Sequence, residues 1–449
     1  MNKVLELKKG ARGFSRFLKR PNHGLRRWKT GWLAVLTTAL LLTAGGIRAE
    51  ESAPILKPGA RLWIAGDQTA GYSRFIETYL AACMPELKIR VFTTSTGGDT
   101  AGGFLQRMDN DLRDFQPGIV TLGYGFNDVS GLPSAAGKAY TERLTGYTER
   151  LGSSVKRLAD NGATVIVGGP PSMDTKLYAQ GNPATYNDIM GQLDAIAAGI
   201  ATENKMPHAE VFGTLKTTME KAKAALGADY AIGGQNGGPC PPNGRLVMAY
   251  AFLKAMGLNG DLGTITVDLK GASTATGGHK VLSGNGGKVE VESTRYPFCF
   301  TGDEKSPNGT RSVLPFFPFN QDLNRLTLVV RNLGAERGQV TWGGASKTFS
   351  RQELEQGINL AAAFPENPFS APFARVFDAV GKKEEFDSKV TRVMGEMPAL
   401  EAPTKGNAKG MEAIEVVRKR VWHNQSVQAD NVASAVVPVK HTLEVTPAQ

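Results

Sequence analysis

Residues 61–76 read RLWIAGDQTAGYSRFI, and this stretch holds the pattern that decides the fold. The apolar run Leu62–Ala65 ends in a polar turn, and an apolar helical segment begins at Phe75. A short continuous apolar run bounded by turn residues is typical of a strand in a parallel sheet, where both faces are covered. The stretch therefore predicts one unit of strand, loop and helix.

The same unit recurs further along the chain. Four more apolar runs have the length and composition of buried strands: Ile89–Phe92, Ile119–Leu122, Val165–Val167 and Ala209–Phe212. Helical patterns lie around them, near Phe75–Ala82, Tyr140–Leu158, Tyr186–Ala201 and Leu246–Met256. This alternation predicts an α/β domain with a doubly wound, parallel, five-stranded sheet and helices on both faces. Ligands of such sheets bind beyond the carboxyl ends of the strands.

The loops after the first three strands carry unusual residues. They read Gly66-Asp67-Gln68-Thr69, Ser95-Thr96-Gly97-Gly98-Asp99-Thr100 and Gly123-Tyr124-Gly125-Phe126-Asn127-Asp128. A backbone N–H of Gly98 and the side-chain amide of Asn127, converging on one point, would make an oxyanion hole. Each loop by itself is also consistent with an ordinary turn rich in Gly, Asn and Asp.

Taken together, the three loops resemble those of the SGNH/GDSL hydrolases, a family of lipase- and acylhydrolase-type esterases. In that family the first loop reads Gly-Asp-Ser, the second ends Gly-Asp-Thr, the third is Gly-x-Asn-Asp, and a late loop carries Asp-x-x-His. The chain matches at Gly66-Asp67, Gly98-Asp99-Thr100 and Gly125-Phe126-Asn127-Asp128. Residues 244–254 resemble the helix that follows the late loop in secreted bacterial members. The resemblance covers residues 60–262 and implies a flavodoxin-like sheet and ester hydrolysis.

The family's catalytic residues are not conserved at the corresponding positions of this chain. Gln68 stands at the nucleophile position, and an amide cannot attack an ester as an activated hydroxyl can. Counting back from the late helix, Asn236 falls on the aspartate position and Pro239 on the histidine position, or Cys240 with a shift of one residue. Only Gly98 and Asn127, at the oxyanion-hole positions, remain of the catalytic group.

The size of the loss indicates an impaired enzyme. Removal of one triad member lowers the rate by roughly 10⁴ to 10⁶, and further losses add little because the members act as a unit. A residual acceleration of about 10³ to 10⁴ over water can survive from the oxyanion hole and binding. The sequence therefore predicts a protein that is not an ordinary serine esterase.

Other side chains near the site carry groups that could replace the missing nucleophile. Thr69 and Ser73 carry hydroxyls, but a turn residue and a helix N-cap are the simpler interpretations. Cys240 offers a thiol, and we expect it and Asp67 to lie at the ligand site. His208 precedes the fifth strand, which predicts a place at the opposite end of the sheet.

Asp67, Asp99 and Asp128 follow three successive strands, which suggests a cation site or an acid/base pair. The simpler interpretation is that each aspartate caps its own loop through backbone N–H groups. We therefore predict no metal and no cofactor.

The charge of the chain is concentrated in its first residues. The whole sequence carries 52 Lys and Arg against 42 Asp and Glu, and residues 1–49 hold 11 of the former and one of the latter. The rest is formally neutral, with 41 of each, which removes the main argument for a nucleic-acid partner.

Residues 1–49 have the pattern of a signal peptide. A basic stretch from Lys3 to Lys29 precedes the apolar run Trp32–Ala44, and a cleavage motif ends at Ala49. This pattern predicts export to the periplasm, the cell envelope or the medium. The alternative is an uncleaved leader, which would be the chain's one contact with a membrane.

The remaining segments predict a linker at 50–59 and two further regions after the α/β domain of residues 60–262. Alternating strands and Gly-rich turns at 263–364 predict a small antiparallel β-sandwich. Residues 365–449 predict a helical C-terminal region, with a helix at 373–397, a linker at 398–409, a helix at 413–423 and an edge strand in the tail.

Three functions are consistent with this sequence. The first is an exported pseudo-esterase that binds an O-acylated glycan or a similar ester. The second is an active carboxylic-ester hydrolase whose nucleophile or base has moved to another position. The third is a structural protein of the cell envelope.

Overall fold

The computed structural model describes residues 55–132, 135–174, 176–177, 183–234 and 240–449. The predicted leader, residues 50–54 of the predicted linker, and the predicted site residues Asn236 and Pro239 lie outside the described residues.

The first part of the fold is a five-stranded parallel sheet in the order β2-β1-β3-β4-β5. Its strands are β1 (Arg61–Asp67), β2 (Arg90–Thr96), β3 (Ile119–Gly123), β4 (Thr164–Gly168) and β5 (His208–Ala209). The helices are α1 (Ser73–Cys83), α2 (Ala101–Phe115), α3 (Lys138–Asp160), α4 (Pro183–Glu203), α5 (Val211–Leu226) and α6 (Pro242–Ala255). The predicted α/β class is confirmed.

Both faces of the sheet are covered because successive side chains of a strand point to opposite faces. In β1, Leu62 and Ile64 join a buried apolar cluster that includes residues of α1 and α6. Trp63 and Ala65 join a second cluster that includes residues of α2, α3 and α4. A strand buried on both faces needs a continuous apolar run, which explains the pattern at 62–65.

Two further sheets follow, one of four strands in the order β13-β10-β6-β7 and one of five strands in the order β12-β11-β14-β9-β8. Strands β6 and β10 are parallel, and the other pairs are antiparallel. Their strands are β6 (Asp261–Asp268), β7 (Thr274–Ala275), β8 (His279–Asn285), β9 (Lys288–Ser293), β10 (Arg325–Arg331), β11 (Arg337–Trp342), β12 (Ala345–Ser350), β13 (Ile358–Asn359) and β14 (Val439–Ala448). The remaining helices are α7 (Phe319–Asp322), α8 (Arg351–Gln356), α9 (Leu360–Ala363), α10 (Ser370–Thr404) and α11 (Ala408–Ala435).

The C-terminal region differs from its prediction in two ways. The tail was expected to add an edge strand, but β14 lies inside its sheet, between β11 and β9. The predicted linker at 398–409 is mostly helical, because α10 continues through Pro398 and Pro403. Packing outweighs the helix-breaking tendency of proline here: the buried Arg418 of α11 donates to Glu401 of α10 at 2.6 Å.

The long helices also cover the open edge of the parallel sheet at β2. Asp387 of α10 accepts the backbone N–H of Thr93 at 3.1 Å, and Gln425 of α11 donates to the carbonyl of Val91 at 3.1 Å. Edge strands expose unpaired backbone groups that favour aggregation. The two side chains therefore bond one donor and one acceptor of this edge. In the part of the chain that the structure describes, no helix has the length and apolarity to cross a membrane.

Candidate functional site

The three predicted loops meet at the carboxyl edge of the parallel sheet. Gln68 directly follows β1, Gly98 follows β2, and Asn127 begins a 3₁₀ turn shortly after β3. Because β1 lies between β2 and β3, the loops that follow these strands are neighbours. The structure thus brings together the three positions on which the resemblance depends.

The side chain of Gln68 forms the centre of this cluster. Its Oε1 accepts the backbone N–H of Gly98 at 3.0 Å and Nδ2 of Asn127 at 2.8 Å. Its Nε2 donates to Oδ1 of Asn127 at 3.0 Å. Gly98 has a φ of +77°, a left-handed conformation that glycine adopts without strain. The two amides therefore pair reciprocally, and the backbone of the second loop adds a third hydrogen bond.

The orientation of Asn127 follows from its own contacts. Its Nδ2 group also donates to the carbonyl oxygen of Asp99 at 2.8 Å, so both amide hydrogens have an acceptor. An acceptor oxygen could not make those two contacts, and this places the nitrogen toward the second loop. Asn127 is thus held as a donor pointing at Gln68.

Two donors converging on one oxygen are the geometry of an oxyanion hole. The donors here are Gly98 and Asn127, the two residues predicted for that role, and the oxygen that they bind belongs to Gln68. Gln68 itself supplies no nucleophilic hydroxyl. The arrangement can therefore stabilise a carbonyl oxygen, and the carbonyl in place is that of the chain's own side chain.

The side chain of Asp67 stabilises the first loop through hydrogen bonds. Its Oδ1 accepts the backbone N–H of Thr69 at 2.8 Å and the Thr69 hydroxyl at 2.7 Å. Burial raises the pKa of this carboxyl to about 7. Asp67 was expected to contact a ligand, but it is fully buried and faces its own loop, so it is not accessible to one.

Asp99 and Asp128, the other two aspartates of these loops, bond different groups. Asp99 accepts the backbone N–H of Thr100 at 2.9 Å and pairs with Arg107 at 2.6 Å. Asp128 accepts the N–H of Ala101, the first residue of α2, at 3.1 Å, so it caps the second loop's helix rather than its own loop. Burial raises the pKa of Asp128 to about 6. Across the residues that the structure describes, no group of His, Cys, Asp and Glu has the arrangement of a metal site.

The candidate substitute nucleophiles are all engaged elsewhere or buried. The Thr69 hydroxyl donates to Asp67. Ser73 is the first residue of α1 rather than its N-cap, and its hydroxyl bonds Glu384 of α10. Cys240, expected at the ligand site, is fully buried, and burial raises the pKa of its thiol to about 12. A thiol with that pKa holds almost no thiolate at neutral pH.

The histidines that the structure describes do not contact the Gln68 cluster. His208 was expected at the far end of the sheet, but it pairs in register with Val167, near the carboxyl end of β4, because β5 is only two residues long. Its ring lies 3.4 Å from the carboxylate of Asp194. His279 and His441 are buried in the second five-stranded sheet, and His423 is exposed on α11.

Sequence reasoning missed that Gln68 accepts hydrogen bonds from both predicted oxyanion-hole donors. The available signal was chemical: an amide at the nucleophile position stands opposite an amide at the oxyanion position, and two amides can exchange two hydrogen bonds. It also missed the contacts of α10 with the first loop's helix, which join residues about 300 positions apart, such as Ser73 and Glu384 (separation 311).

Residues 58–232 match the model of the GDSL-like Lipase/Acylhydrolase family. Over these residues the α/β domain is therefore similar to the family that its three loops resemble. A search of curated protein sequences finds no relative that matches the chain.

Similar solved structures show how far the fold is shared. A gut microbial diltiazem-metabolizing enzyme is similar over its whole length to 89% of this chain, with a TM-score of 0.69 and 18% identity. A putative GDSL-like lipase from Parabacteroides merdae aligns over 97% of its chain and 45% of this one, with 16% identity and a TM-score of 0.38. An acetylxylan esterase from Geobacillus stearothermophilus aligns over 96% and 45%, with 21% identity and a TM-score of 0.38. The first similarity shows that the fold extends beyond the α/β domain, through the antiparallel sheets and the long C-terminal helices.

Proposed function

We propose that this protein is a pseudo-esterase, a member of an esterase family that binds an O-acylated glycan or a similar ester without efficient hydrolysis. The observation that carries the proposal is the Gln68 carboxamide, whose oxygen accepts hydrogen bonds from both oxyanion-hole donors. The nucleophile position therefore lacks a hydroxyl and also blocks the group that would stabilise the transition state.

Hydrogen-bond energies indicate how strongly Gln68 competes with a ligand. An ester carbonyl can enter the hole only after two hydrogen bonds to Gln68 break, each with a net value of about 0.5–1.5 kcal/mol. This weakens binding of an acyl carbonyl in the hole by roughly ten- to a hundredfold. A ligand then binds chiefly through groups outside the hole, which supports binding without turnover.

Hydrolysis of p-nitrophenyl acetate and of an acetylated oligosaccharide tests the proposal. We expect the natural protein to be silent and a Gln68→Ser, Pro239→His double variant to gain activity, since it regains a hydroxyl and an imidazole. Adding Asn127→Ala to the double variant removes one hole donor and should reduce the gained rate by about 10² to 10³. Turnover by the natural protein at ordinary esterase rates would show the proposal to be wrong.

Covalent labelling distinguishes the pseudo-esterase from the alternative, an active hydrolase with a relocated nucleophile. An organophosphonate that reacts with an activated hydroxyl or thiol should leave the natural protein unmodified, as judged by intact-protein mass spectrometry. A single labelled Ser, Thr or Cys would instead identify a relocated nucleophile.

A structural role in the cell envelope is the second candidate, and one observation favours it: the hole is filled by a side chain of the protein itself. Calorimetric titration with the acetylated oligosaccharide distinguishes the two. The pseudo-esterase binds it, and Gln68→Ala, which empties the hole, binds it more tightly. Absence of binding by both proteins supports the structural role.

Export through the leader is a further part of the proposal, supported by the basic and apolar pattern of residues 1–49. N-terminal sequencing of the protein recovered from the producing cell should begin at Glu50. An intact Met1 on a membrane-bound protein would support the uncleaved anchor.

A further inference from the structure

A cavity of about 520 Å³ lies where the α/β domain meets the C-terminal half of the chain. Its walls come from the 3₁₀ turn Ala70–Tyr72 and the start of α1, from the start of α6, from the segment 298–311 and from the start of α10. Gln68, Gly98 and Asn127 are not among its lining residues. It is therefore a separate concavity of a size that accommodates a small organic ligand.

The apolar wall of this cavity is aromatic. Phe298 packs against Phe300 and Phe373 with ring centroids 5.3 Å and 4.7 Å apart, and all three rings line the space. Phe377, half-buried on α10, adds a fourth ring, with the guanidinium of Arg74 stacked 3.9 Å from its centroid. Such a wall favours a compact apolar body in the ligand.

The charged lining has an excess of one positive charge, from three arginines and two acids. Arg74 is already occupied, because it donates to the carbonyl of Phe377 at 2.9 Å and pairs with Asp378 at 3.4 Å. Arg311 pairs with Glu366. The third arginine, Arg245, therefore accounts for the excess.

Arg245 is held by its inner nitrogen alone. Its Nε donates to the carbonyl of Cys240 at 2.7 Å, and its guanidinium lies against Gly71, where an added Cβ would come within 3.0 Å of Cζ. Among the residues that the structure describes, its two terminal nitrogens have no hydrogen-bonding partner. A fixed guanidinium with both terminal nitrogens available matches the two oxygens of a carboxylate.

We propose that this cavity is a binding site for a small carboxylate with a compact apolar body, whose carboxylate pairs with Arg245 while the body contacts the phenylalanine wall. The single excess charge suits a monoanion. The site is separate from the Gln68 cluster, so it does not depend on whether the protein hydrolyses esters.

Titration of the purified protein with benzoate and with D-glucuronate, followed by ligand-observed NMR and calorimetry, tests the proposal. Benzamide is the neutral control. We expect benzoate to bind, benzamide to bind at least tenfold more weakly, and Arg245→Gln to weaken benzoate binding about tenfold or more. Stronger binding of benzoate than of glucuronate supports the apolar body, and binding of the polyhydroxylated glucuronate alone would contradict it.

Matched variants show whether a loss of binding arises at the cavity or from a loss of folding. Arg375→Gln removes an exposed arginine of α10 that does not line the cavity, and it should leave binding unchanged. Ala374→Trp fills the cavity from an exposed position and should abolish binding, whereas Ala371→Trp, one turn away and outside the lining, should not. Binding of neither carboxylate, or binding that survives both Arg245→Gln and Ala374→Trp, would overturn the proposal.

Discussion

Gln68 and Asn127 present complementary amides, and the two side chains exchange two hydrogen bonds at 2.8 and 3.0 Å. With the N–H of Gly98 as a third partner, both donors of the hole are satisfied in the absence of a ligand. A serine at position 68 is two heavy atoms shorter at the polar end and leaves the donors to water or substrate. The longer side chain of Gln68 thus links the loops that follow the first three strands.

The buried carboxyl of Asp67 makes the stability of the fold depend on pH, because burial raises its pKa to about 7 from an ordinary value of 3.8. A carboxyl whose folded pKa is raised contributes stability at low pH that is lost as the pH rises through the folded pKa. Between pH 5 and 8 the free energy of unfolding of the natural protein should fall by about 3 kcal/mol relative to Asp67→Asn, which is neutral throughout. Urea unfolding at both values measures this difference.

The control for Asp67 is Asp188→Asn, at an exposed position of α4. That variant should follow the natural protein at both pH values. An equal pH dependence in the natural protein and Asp67→Asn would contradict the buried, proton-holding state of Asp67.

At the scale of elements, α10 and α11 are attached to the α/β domain by buried charge as well as by apolar contact. Lys383 of α10 lies 3.1 Å from Glu77 of α1 and 2.6 Å from Asp387, and all three side chains are buried. Asp387 and Gln425 in turn bond the open edge of β2. Because a buried charge must be paired, this group specifies one position of the helices on the sheet.

Lys383→Met tests the role of that group. It leaves two buried carboxylates without their cation, and removal of one partner of a buried ion pair costs about 3–5 kcal/mol. We expect a loss of that size in the free energy of unfolding, measured by urea denaturation. Lys382→Met, at the exposed neighbouring position, should change it by less than about 0.5 kcal/mol. A similar small loss for Lys383→Met would mean that the pair does not hold the helices.

At the scale of the whole molecule, β14 (Val439–Ala448) joins a sheet whose first strand, β8, begins 160 residues earlier at His279. Strand β14 pairs with β9 and β11, and its His441 accepts the indole N–H of Trp342 at 3.1 Å. With Nδ1 thus occupied as an acceptor, neutral His441 donates through Nε2 to Ser293 at 2.9 Å. Ser293 bonds His279 at 2.7 Å, and His279 reaches the carbonyl of Leu262, in the other sheet, at 2.8 Å.

This network has partners only for neutral histidines, which predicts a dependence of stability on pH. Burial lowers the pKa of His441 to about 3 from an ordinary 6.5, and burial also lowers that of His279. The unfolded chain then takes up more protons below pH 6.5, so acid destabilises the fold. Between pH 7.5 and 5, His441 alone should remove about 2 kcal/mol from the free energy of unfolding.

Thermal and urea unfolding of His441→Gln and His423→Gln measure this contribution of His441. Its dependence on pH is opposite in sign to that of Asp67. The His441 variant should lose the acid-dependent part of the destabilisation, and the exposed His423 variant should keep it. Identical pH profiles for the natural protein and His441→Gln would contradict the neutral network.

The sequence by itself determined the parallel sheet and the place of the site. Apolar runs such as Leu62–Ala65 encode strands buried on two faces, and each loop follows its own strand directly. Parallel strands carry their loops to one edge, so Gln68, Gly98 and Asn127 were expected at that edge. These are consequences of local pattern and of chain direction, which need no knowledge of distant contacts.

Only the tertiary structure decided how those residues interact and how the chain closes. Gln68 meets Asn127 across 59 positions, and Thr93 meets Asp387 across 294. The same long range places β14 inside its sheet and keeps α10 helical through Pro398. The physical reason is that local periodicity specifies the type of each element. Its partners are chosen by the burial and hydrogen bonding available once distant segments have met.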